Sequence, residues 1–170
     1  MEAAAAGGGG GVDNVSFKKG AQVEVSFEEE GFRGSWYTAT VLRPVSKKTN
    51  KIYLQFHTLV ANDEPGSSPL QEHVDLILVR PVPPREPRRS FQVSDEVDAF
   101  HNDGWWEGIV IHVFPPPTIS PTTPTAPPPI TRYSVFFRSS REQLDFPETD
   151  LRLHREWVHG KWVPALEPTK

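Results

Sequence analysis

The sequence predicts an all-β protein built from two small barrels in tandem, and three observations support this prediction. One block of sequence occurs twice in the 170 residues. Apolar and polar residues alternate along most segments, which is the period of a half-buried strand. No stretch between residues 17 and 160 keeps the 3.6-residue period of an amphipathic helix.

The duplication consists of four blocks that recur in one order. The first two blocks match Phe17, Val23, Glu24, Val25, Gly34, Trp36, Tyr37, Ala39 and Val41 with Phe91, Val97, Asp98, Ala99, Gly104, Trp105, Trp106, Gly108 and Val110. The later blocks match Tyr53, Phe56, Asp75, Leu76, Leu78 and Arg80 with Tyr133, Phe136, Asp150, Leu151, Leu153 and Arg155. The spacing between blocks differs slightly, so the copies differ by a loop deletion. Four ordered matches indicate a duplicated module of about 65 to 70 residues.

Strands are predicted where the alternation is clearest. In the first copy the apolar positions are Val23, Val25, Phe27, then Tyr37, Ala39, Val41, then Ile52, Leu54, Phe56, with a short apolar run at residues 76–79. The second copy repeats this at residues 93–99, 106–113, 133–137 and 151–153. Four or five short strands are too few for two stacked sheets, so each copy is expected to bend into a small barrel.

Proline and glycine mark the expected boundaries. Residues 1–16, rich in alanine and glycine, are expected to form a disordered tail before a first domain at 17–83. Residues 84–90 are expected to be a stiff linker, and residues 91–164 a second domain. Because proline cannot donate to a strand ladder, the proline-rich segment 115–129 is expected to be a loop of the second domain.

Composition excludes several classes of protein. The chain has no cysteine, which rules out disulfides and thiolate zinc sites and favours a reducing compartment. No apolar run reaches the roughly 18 residues of a membrane span, so no membrane partner is expected. The six histidines show no metal-ligand spacing, and no phosphate-binding loop is present. We therefore expect no catalysis, no metal and no cofactor.

Charge is unevenly distributed along the chain. Residues 91–159 carry ten acidic against five basic residues, whereas residues 17–80 carry eight of each. In both copies acidic residues stand beside aromatic ones, which favours a basic partner. The candidate acidic contacts are Glu28, Glu29, Glu30, Asp98 and Asp103.

Four segments resemble the plant Agenet domain, a member of the Tudor-like Royal family. They read EEEGFRGSWYTATV at residues 28–41, DAFHNDGWWEGIV at 98–110, DLILVRPVPP at 75–84 and LRLHREWVHGKWVP at 151–164. The resemblance implies two packed five-stranded SH3-like barrels, a nuclear location and binding of a methylated lysine on a histone tail. The proline-rich insertion departs from the family pattern.

A methylated ammonium keeps its charge but loses hydration, so aromatic faces hold it best, each contributing roughly 0.5 to 2 kcal/mol. The first-copy cage candidates are Phe27, Phe32, Trp36, Tyr37 and Phe56, and the second-copy candidates are Phe100, Trp105, Trp106 and Phe136. Tyr37 is the first choice because its surroundings are similar to the stretch that supplies a cage tyrosine in Tudor domains. Neighbouring residues of a strand face opposite sides, so one ring of each adjacent pair is expected to fill the core.

Two other functions remain open. Arg80, Arg85, Arg88 and Arg89, with Lys47, Lys48 and Lys51, would suit nucleic acid if they formed one stripe. The sequence pI of about 5.9 and the acidic second copy argue against that function. The third possibility is a scaffold that holds another chromatin protein.

Overall fold

The structure, a computed structural model, describes residues 17–87, 89–118 and 129–167. Within these ranges the regular elements are β-strands and two single-turn 3₁₀-helices, so the predicted all-β class is confirmed. The predicted tail at residues 1–16 and most of the proline-rich loop, residues 119–128, lie outside the described residues.

The elements follow the two copies of the sequence. The first copy supplies β1 (Gln22–Val25), β2 (Ser35–Arg43), β3 (Lys51–Val60), β4 (Pro69–Asp75), a 3₁₀-turn (Leu76–Leu78) and β5 (Val79–Pro81). The second supplies β6 (Glu96–His101), β7 (Gly104–Phe114), β8 (Arg132–Phe137), β9 (Glu142–Pro147), a 3₁₀-turn (Glu148–Asp150) and β10 (Leu151–Leu153). A hairpin of β11 (Glu156–Val158) and β12 (Lys161–Val163) ends the described chain.

The chain divides into two compact units that do not coincide with the copies. The described part of unit 1 comprises residues 17–25, 38–83 and 155–165; that of unit 2 comprises residues 26–37, 84–87, 89–118, 129–154 and 166–167. The division falls inside β2, between Tyr37 and Thr38. The boundaries 17–83, 84–90 and 91–164 therefore describe the sequence copies, whereas the structural units each take a segment from the other copy.

The segment expected to be a linker belongs to unit 2. The Arg85 guanidinium donates hydrogen bonds to the carbonyl oxygens of Thr149, at 2.8 Å, and Leu151, at 2.9 Å. These bonds attach the expected linker to the residues at the start of β10, so the linker is not a free spacer.

Unit 1 is an antiparallel sheet with the strand order β5-β1-β2-β3-β4. The side chains on its inner face are buried, as the alternation predicted: Val23, Val25, Ala39, Val41, Ile52, Leu54, Phe56, Val74 and Val79. The β11–β12 hairpin belongs to the same unit and places Trp157 opposite Trp162, with ring centroids 4.9 Å apart. The sequence reasoning did not predict this hairpin.

Unit 2 repeats the same topology, with the strand order β10-β6-β7-β8-β9. Its core consists of Phe91, Val97, Ala99, Val110, Tyr133, Val135, Phe137, Phe146 and Leu151. The first residues of β2 also pair with β7, Ser35 with Trp106 and Trp36 with Trp105. This pairing is why residues 26–37 belong to unit 2.

Strand register corrects two of the four blocks matched between the copies, the third and the fourth. Val41 pairs with Leu54 in unit 1, and the equivalent Val110 pairs with Val135 in unit 2, so the counterpart of Phe56 is Phe137 and not Phe136. A slip of one residue reverses the face of a strand, so this correction moves the matching ring from one side of the sheet to the other.

The second correction concerns the buried arginines. Arg80 pairs across the sheet with Glu24, and Arg152 pairs in the same way with Asp98. Arg152 is therefore the counterpart of Arg80, and the sequence match of Arg80 with Arg155 was displaced by three residues. Each unit thus contains one buried carboxylate–arginine pair between its first and last strands.

Gly108 lies in β7 where residues of β8 leave no room for a side chain. A Cβ added there would lie 2.5 Å from Val135 Cγ1 and 3.0 Å from the carbonyl oxygen of Phe136. We expect Gly108→Ala to lower the free energy of unfolding by about 1–3 kcal/mol through overpacking, measured by chemical denaturation. The exposed Gln143→Ala in β9 is the control, with an expected change within about 0.5 kcal/mol. Equal stability of both variants would contradict the predicted overcrowding.

Candidate functional site

The loop before β2, residues 26–34, is shaped by two consecutive turns. The backbone N–H of Phe32 donates to the carbonyl oxygen of Glu29 at 3.0 Å, and that of Ser35 donates to Phe32 at 3.2 Å. The Ser35 hydroxyl donates to the same carbonyl. Gly31 and Gly34 have φ values of +95° and +83°, a region that favours glycine. The loop therefore projects the Phe32 side chain between two backbone reversals.

Three first-copy rings meet in unit 2 beside this loop. The Phe32 ring centroid lies 6.0 Å from that of Phe27 and 6.3 Å from that of Tyr37, and Phe27 and Tyr37 are 5.5 Å apart. Tyr37 is 2% exposed while Phe32 is 44% exposed, so Phe32 covers the other two. Burial raises the pKa of the Tyr37 hydroxyl, and the nearby charge of Asp103 acts in the same direction. We call Phe27, Phe32 and Tyr37 the first-copy rings.

The other two first-copy candidates lie elsewhere. Trp36 is half-buried on the face of β2 opposite Tyr37, as the alternation predicted. Phe56 is fully buried in the core of unit 1, with 0% of its side chain exposed. Phe56 has no face to offer a ligand in this structure, so it is removed from the candidate set.

Trp105 already holds two of the protein's own cations. The guanidinium carbon of Arg152 lies 4.3 Å from the ring centroid, and that of Arg85 lies 5.3 Å away. Burial lowers the pKa of Arg85, and the charge of Arg152 lowers it further. Phe100, 39% exposed, packs edge-on against Trp105 at 5.3 Å. Trp105 and Phe100 therefore form a cation–π cluster within unit 2.

Trp106, the remaining tryptophan of the pair, lines a concave pocket of about 450 Å³. The pocket lies where the β6–β7 turn, the β8–β9 turn and the loop before β2 come together. All of its lining residues belong to unit 2: Glu30, Gly31, Arg33, His101, Asn102, Trp106, Phe137, Ser139, Ser140 and Glu142. We call it the unit 2 pocket. It combines aromatic walls with two carboxylates and one arginine.

The aromatic side of this pocket is rigidly supported. The His101 ring stacks on Phe137 with centroids 6.4 Å apart and planes inclined by 21°. Phe146 packs edge-on against both rings at 5.9 Å. The half-buried Trp106 has a buried Nε1 with no hydrogen-bond partner among the described residues. Phe136, the candidate from the sequence, is half-buried and is not among the lining residues.

Sequence reasoning missed His101, Phe137 and Glu142 as parts of one site. The duplication contained the missing signal, because strand register places His101 at the position of Phe27 and Phe137 at the position of Phe56. Only the fold could add Glu142, which is the first residue of β9.

The acidic candidates separate into surface and buried groups. Glu28, Glu29, Glu30 and Asp103 are exposed. Asp98 is 1% exposed and is corrected from a peptide contact to a structural residue. Its Oδ2 accepts a hydrogen bond from Arg152 Nε at 2.9 Å, and its Oδ1 lies 2.7 Å from His154 Nδ1.

Burial alone would raise the pKa of Asp98, but the His154 hydrogen bond and the charge of Arg152 outweigh it. The pKa of Asp98 is therefore held below its ordinary value. A carboxylate with both oxygens occupied inside the sheet cannot reach a peptide at the surface.

Unit 2 is strongly acidic. Its described residues include fourteen Asp and Glu against seven Lys and Arg.

In residues 17–87, 89–118 and 129–167, no group of three acidic, histidine or cysteine side chains is arranged to hold a metal ion. No helix in the described part of the chain is long and apolar enough to cross a membrane.

Comparison with known proteins agrees with this architecture. The family model for the Agenet domain matches residues 20–84. The chain is 43% identical over 159 residues to Protein AGENET DOMAIN (AGD)-CONTAINING P1 of Arabidopsis thaliana, covering 90% of this chain and 28% of that protein. It is 34% identical to DUF724 domain-containing protein 3 of Arabidopsis thaliana, covering 92% of this chain and 21% of that protein. The chain thus spans less than a third of these curated relatives.

Solved structures extend the similarity to the whole fold. The crystal structure of Arabidopsis thaliana AGDP1 AGD34 is similar with a TM-score of 0.69 and 38% identity, covering 86% of this chain and 88% of that chain. ADCP1 tandem Agenet domain 3-4 is similar with a TM-score of 0.65 and 35% identity, covering 86% of each chain.

Two five-stranded units of one topology, one of them with an acidic, aromatic-walled pocket, define a binding module of the Tudor-like, chromatin-associated reader class. More specifically, the chain belongs to the Agenet family and carries the domain in tandem.

Proposed function

We propose that this chain acts in the nucleus by binding a methylated lysine from the amino-terminal tail of a core histone, with the methylammonium held in the unit 2 pocket. One observation carries the proposal: the pocket places aromatic side chains and two carboxylates around an open space of about 450 Å³. Open pockets of roughly 300–1,000 Å³ are the size that proteins use for bound side chains and small ligands.

The ring of Trp106 is the principal binding surface. Tryptophan gives the strongest cation–π attraction, and its apolar face suits an ammonium that has lost hydration to methyl groups. His101 adds a second ring, and Phe137 forms the floor beneath it. Two or three such contacts supply on the order of 1–4 kcal/mol of preference for the methylated side chain.

The carboxylates of Glu30 and Glu142 determine which methylation state of the lysine is preferred. A mono- or dimethylammonium retains an N–H that donates to a carboxylate, whereas a trimethylammonium does not. We therefore expect the lower methylation states to bind most tightly.

The acidic surface of unit 2 would hold the rest of the peptide. Glu28 and Glu29, exposed beside Glu30, continue the negative surface from the pocket rim along the loop. Charge complementarity of this kind accelerates association with a lysine- and arginine-rich tail and weakens with salt. If the chain bound only nucleic acid, or only an unmodified chromatin protein, lysine methylation would not change its affinity.

Titration calorimetry with one histone-tail sequence carrying zero, one, two or three methyl groups on the same lysine tests the proposal. We expect the dimethyl form to bind about ten-fold more tightly than the unmodified form, which corresponds to about 1.4 kcal/mol. The trimethyl form is expected to fall between them. Equal affinity across all four peptides would refute methyl-lysine recognition and would favour a scaffold that binds unmodified tails.

A further inference from the structure

Unit 1 differs from unit 2 in the sign of its charge. Its described residues carry nine Lys and Arg against six Asp and Glu. Two of the basic residues, Arg80 and Arg155, are buried, and Arg80 is paired with the buried Glu24. The remaining basic residues are on the surface, and most of them lie at one end of the unit.

We propose that this end of unit 1 binds the phosphate backbone of double-stranded DNA, independently of the methyl-lysine site. We call it the basic end. It consists of six exposed cations: Lys18, Lys19, Arg43, Lys47, Lys48 and Lys51.

Backbone hydrogen bonds bring these cations together from three segments. The turn that carries Lys18 and Lys19 lies against β2, because the N–H of Gly20 donates to the carbonyl oxygen of Val41 at 2.8 Å. The β2–β3 turn is closed by the N–H of Ser46, which donates to Lys51 at 2.9 Å. Lys47 and Lys48 therefore lie in the β2–β3 turn, and Lys18 and Lys19 lie beside the end of β2 that leads into this turn.

The outer face of the sheet next to this tip adds an aromatic group. The Arg43 guanidinium of β2 lies 4.6 Å above the Tyr53 ring of β3. The centroid of the His73 ring, on the neighbouring strand β4, lies 4.5 Å from the centroid of the Tyr53 ring. Arg43, Tyr53 and His73 thus form a row across three strands. A guanidinium held against a ring is pre-oriented for a phosphate contact, since less rotamer freedom is lost on binding.

Few acidic groups oppose these cations. Among the described residues, Asp75 is the one carboxylate in an ion pair with the basic end, 3.8 Å from Lys51 Nζ. Both side chains of that pair are about half exposed, so the pair is weak and readily exchanged for a phosphate. Glu72 pairs with the core residue Leu54, on the face opposite Tyr53 and His73. Six exposed cations, of which Lys51 alone has an ion pair among the described residues, fit a polyanion.

Fluorescence anisotropy with a labelled 20-base-pair duplex of mixed sequence, from 50 to 200 mM NaCl, tests the inference. Nonspecific duplex binding in the range of about 10⁻⁴ to 10⁻⁶ M is expected, with a steep salt dependence. The triple variant Lys47→Gln, Lys48→Gln, Lys51→Gln should bind on the order of ten-fold more weakly at 50 mM salt. The slope of log K against log salt should become shallower by about 2–3.

The matched control removes the same charge from unit 2, with Arg132→Gln, Arg138→Gln and Arg141→Gln at exposed positions. The control is expected to keep the salt slope of the parent chain. Equal losses in both triple variants, or no duplex binding at 50 mM salt, would overturn the assignment. If single-stranded DNA, or a glutamate-rich peptide of equal charge, bound more tightly than the duplex, the assignment of duplex DNA as the ligand would be wrong. Methyl-peptide affinity of the lysine variant should be unchanged, so the two proposals fail separately.

Discussion

Replacing Asp98 with alanine is expected to lower the free energy of unfolding by about 3–5 kcal/mol, because the buried Arg152 cation would lose the carboxylate that neutralises its charge. Arg152 is 5% exposed, so water cannot replace the lost carboxylate. His154 would lose its hydrogen bond at the same time. Chemical denaturation followed by tryptophan fluorescence measures the change.

Glu96→Ala is the matched control, since Glu96 lies two residues earlier in β6 with its side chain exposed. Its expected effect is within about 0.5 kcal/mol. A loss below about 1 kcal/mol for Asp98→Ala would show that the buried pair contributes little to the fold.

Acid provides an independent measurement of the same pair. The pKa of Asp98 is lower in the folded chain than its ordinary value of about 4. The ionised Asp98 therefore stabilises the fold fully at pH values above about 4. The effect is lost as pH falls through the folded pKa. The stability difference between the parent chain and Asp98→Asn should therefore be larger at pH 7 than at pH 3. A difference that is independent of pH would exclude the charged form of Asp98 as the source.

The second large effect is expected for Trp106→Ala, which should remove the preference for a methylated peptide. Loss of the principal ring should weaken binding of the dimethyl peptide about ten-fold or more, to the level of the unmodified peptide. Trp106→Phe keeps a ring and removes a buried Nε1 that has no partner among the described residues. We expect this variant to retain most of the methyl preference without loss of stability.

Two further variants locate the site. Phe114→Ala removes an exposed ring from the far end of the same strand and should leave peptide binding unchanged. Phe32→Ala tests the first-copy rings instead. If Phe32→Ala abolished methyl preference and Trp106→Ala did not, the methylammonium would have to bind between Phe32 and Tyr37 rather than in the unit 2 pocket.

Alternation along the chain was sufficient to predict the strands and many of their faces. It placed Tyr37 and Trp36 on opposite sides of β2, and burial agrees. It could not distinguish Phe136 from Phe137, because two adjacent phenylalanines match a shifted pattern equally well. Only the pairing of Val110 with Val135 shows that Phe137 faces inward.

The candidate site was harder to predict because its parts are distant in sequence. Asp98 stands beside aromatic residues and looked like a surface carboxylate, yet its partner Arg152 is 54 residues away. Glu30 and Glu142 reach one pocket from loops in different copies. A duplication shows which positions correspond, but it does not show which segment of one copy folds with the other.

The exchange of segments between the copies affects the order in which the chain can fold during synthesis. Arg80 of unit 1 donates a hydrogen bond to the carbonyl oxygen of Arg155 at 3.0 Å, and its guanidinium lies 5.1 Å from the Trp162 ring centroid. The partners in these contacts, Arg155 and Trp162, follow the last strand of the second copy. As the polypeptide leaves the ribosome, unit 1 emerges first but cannot be completed until both copies have been translated.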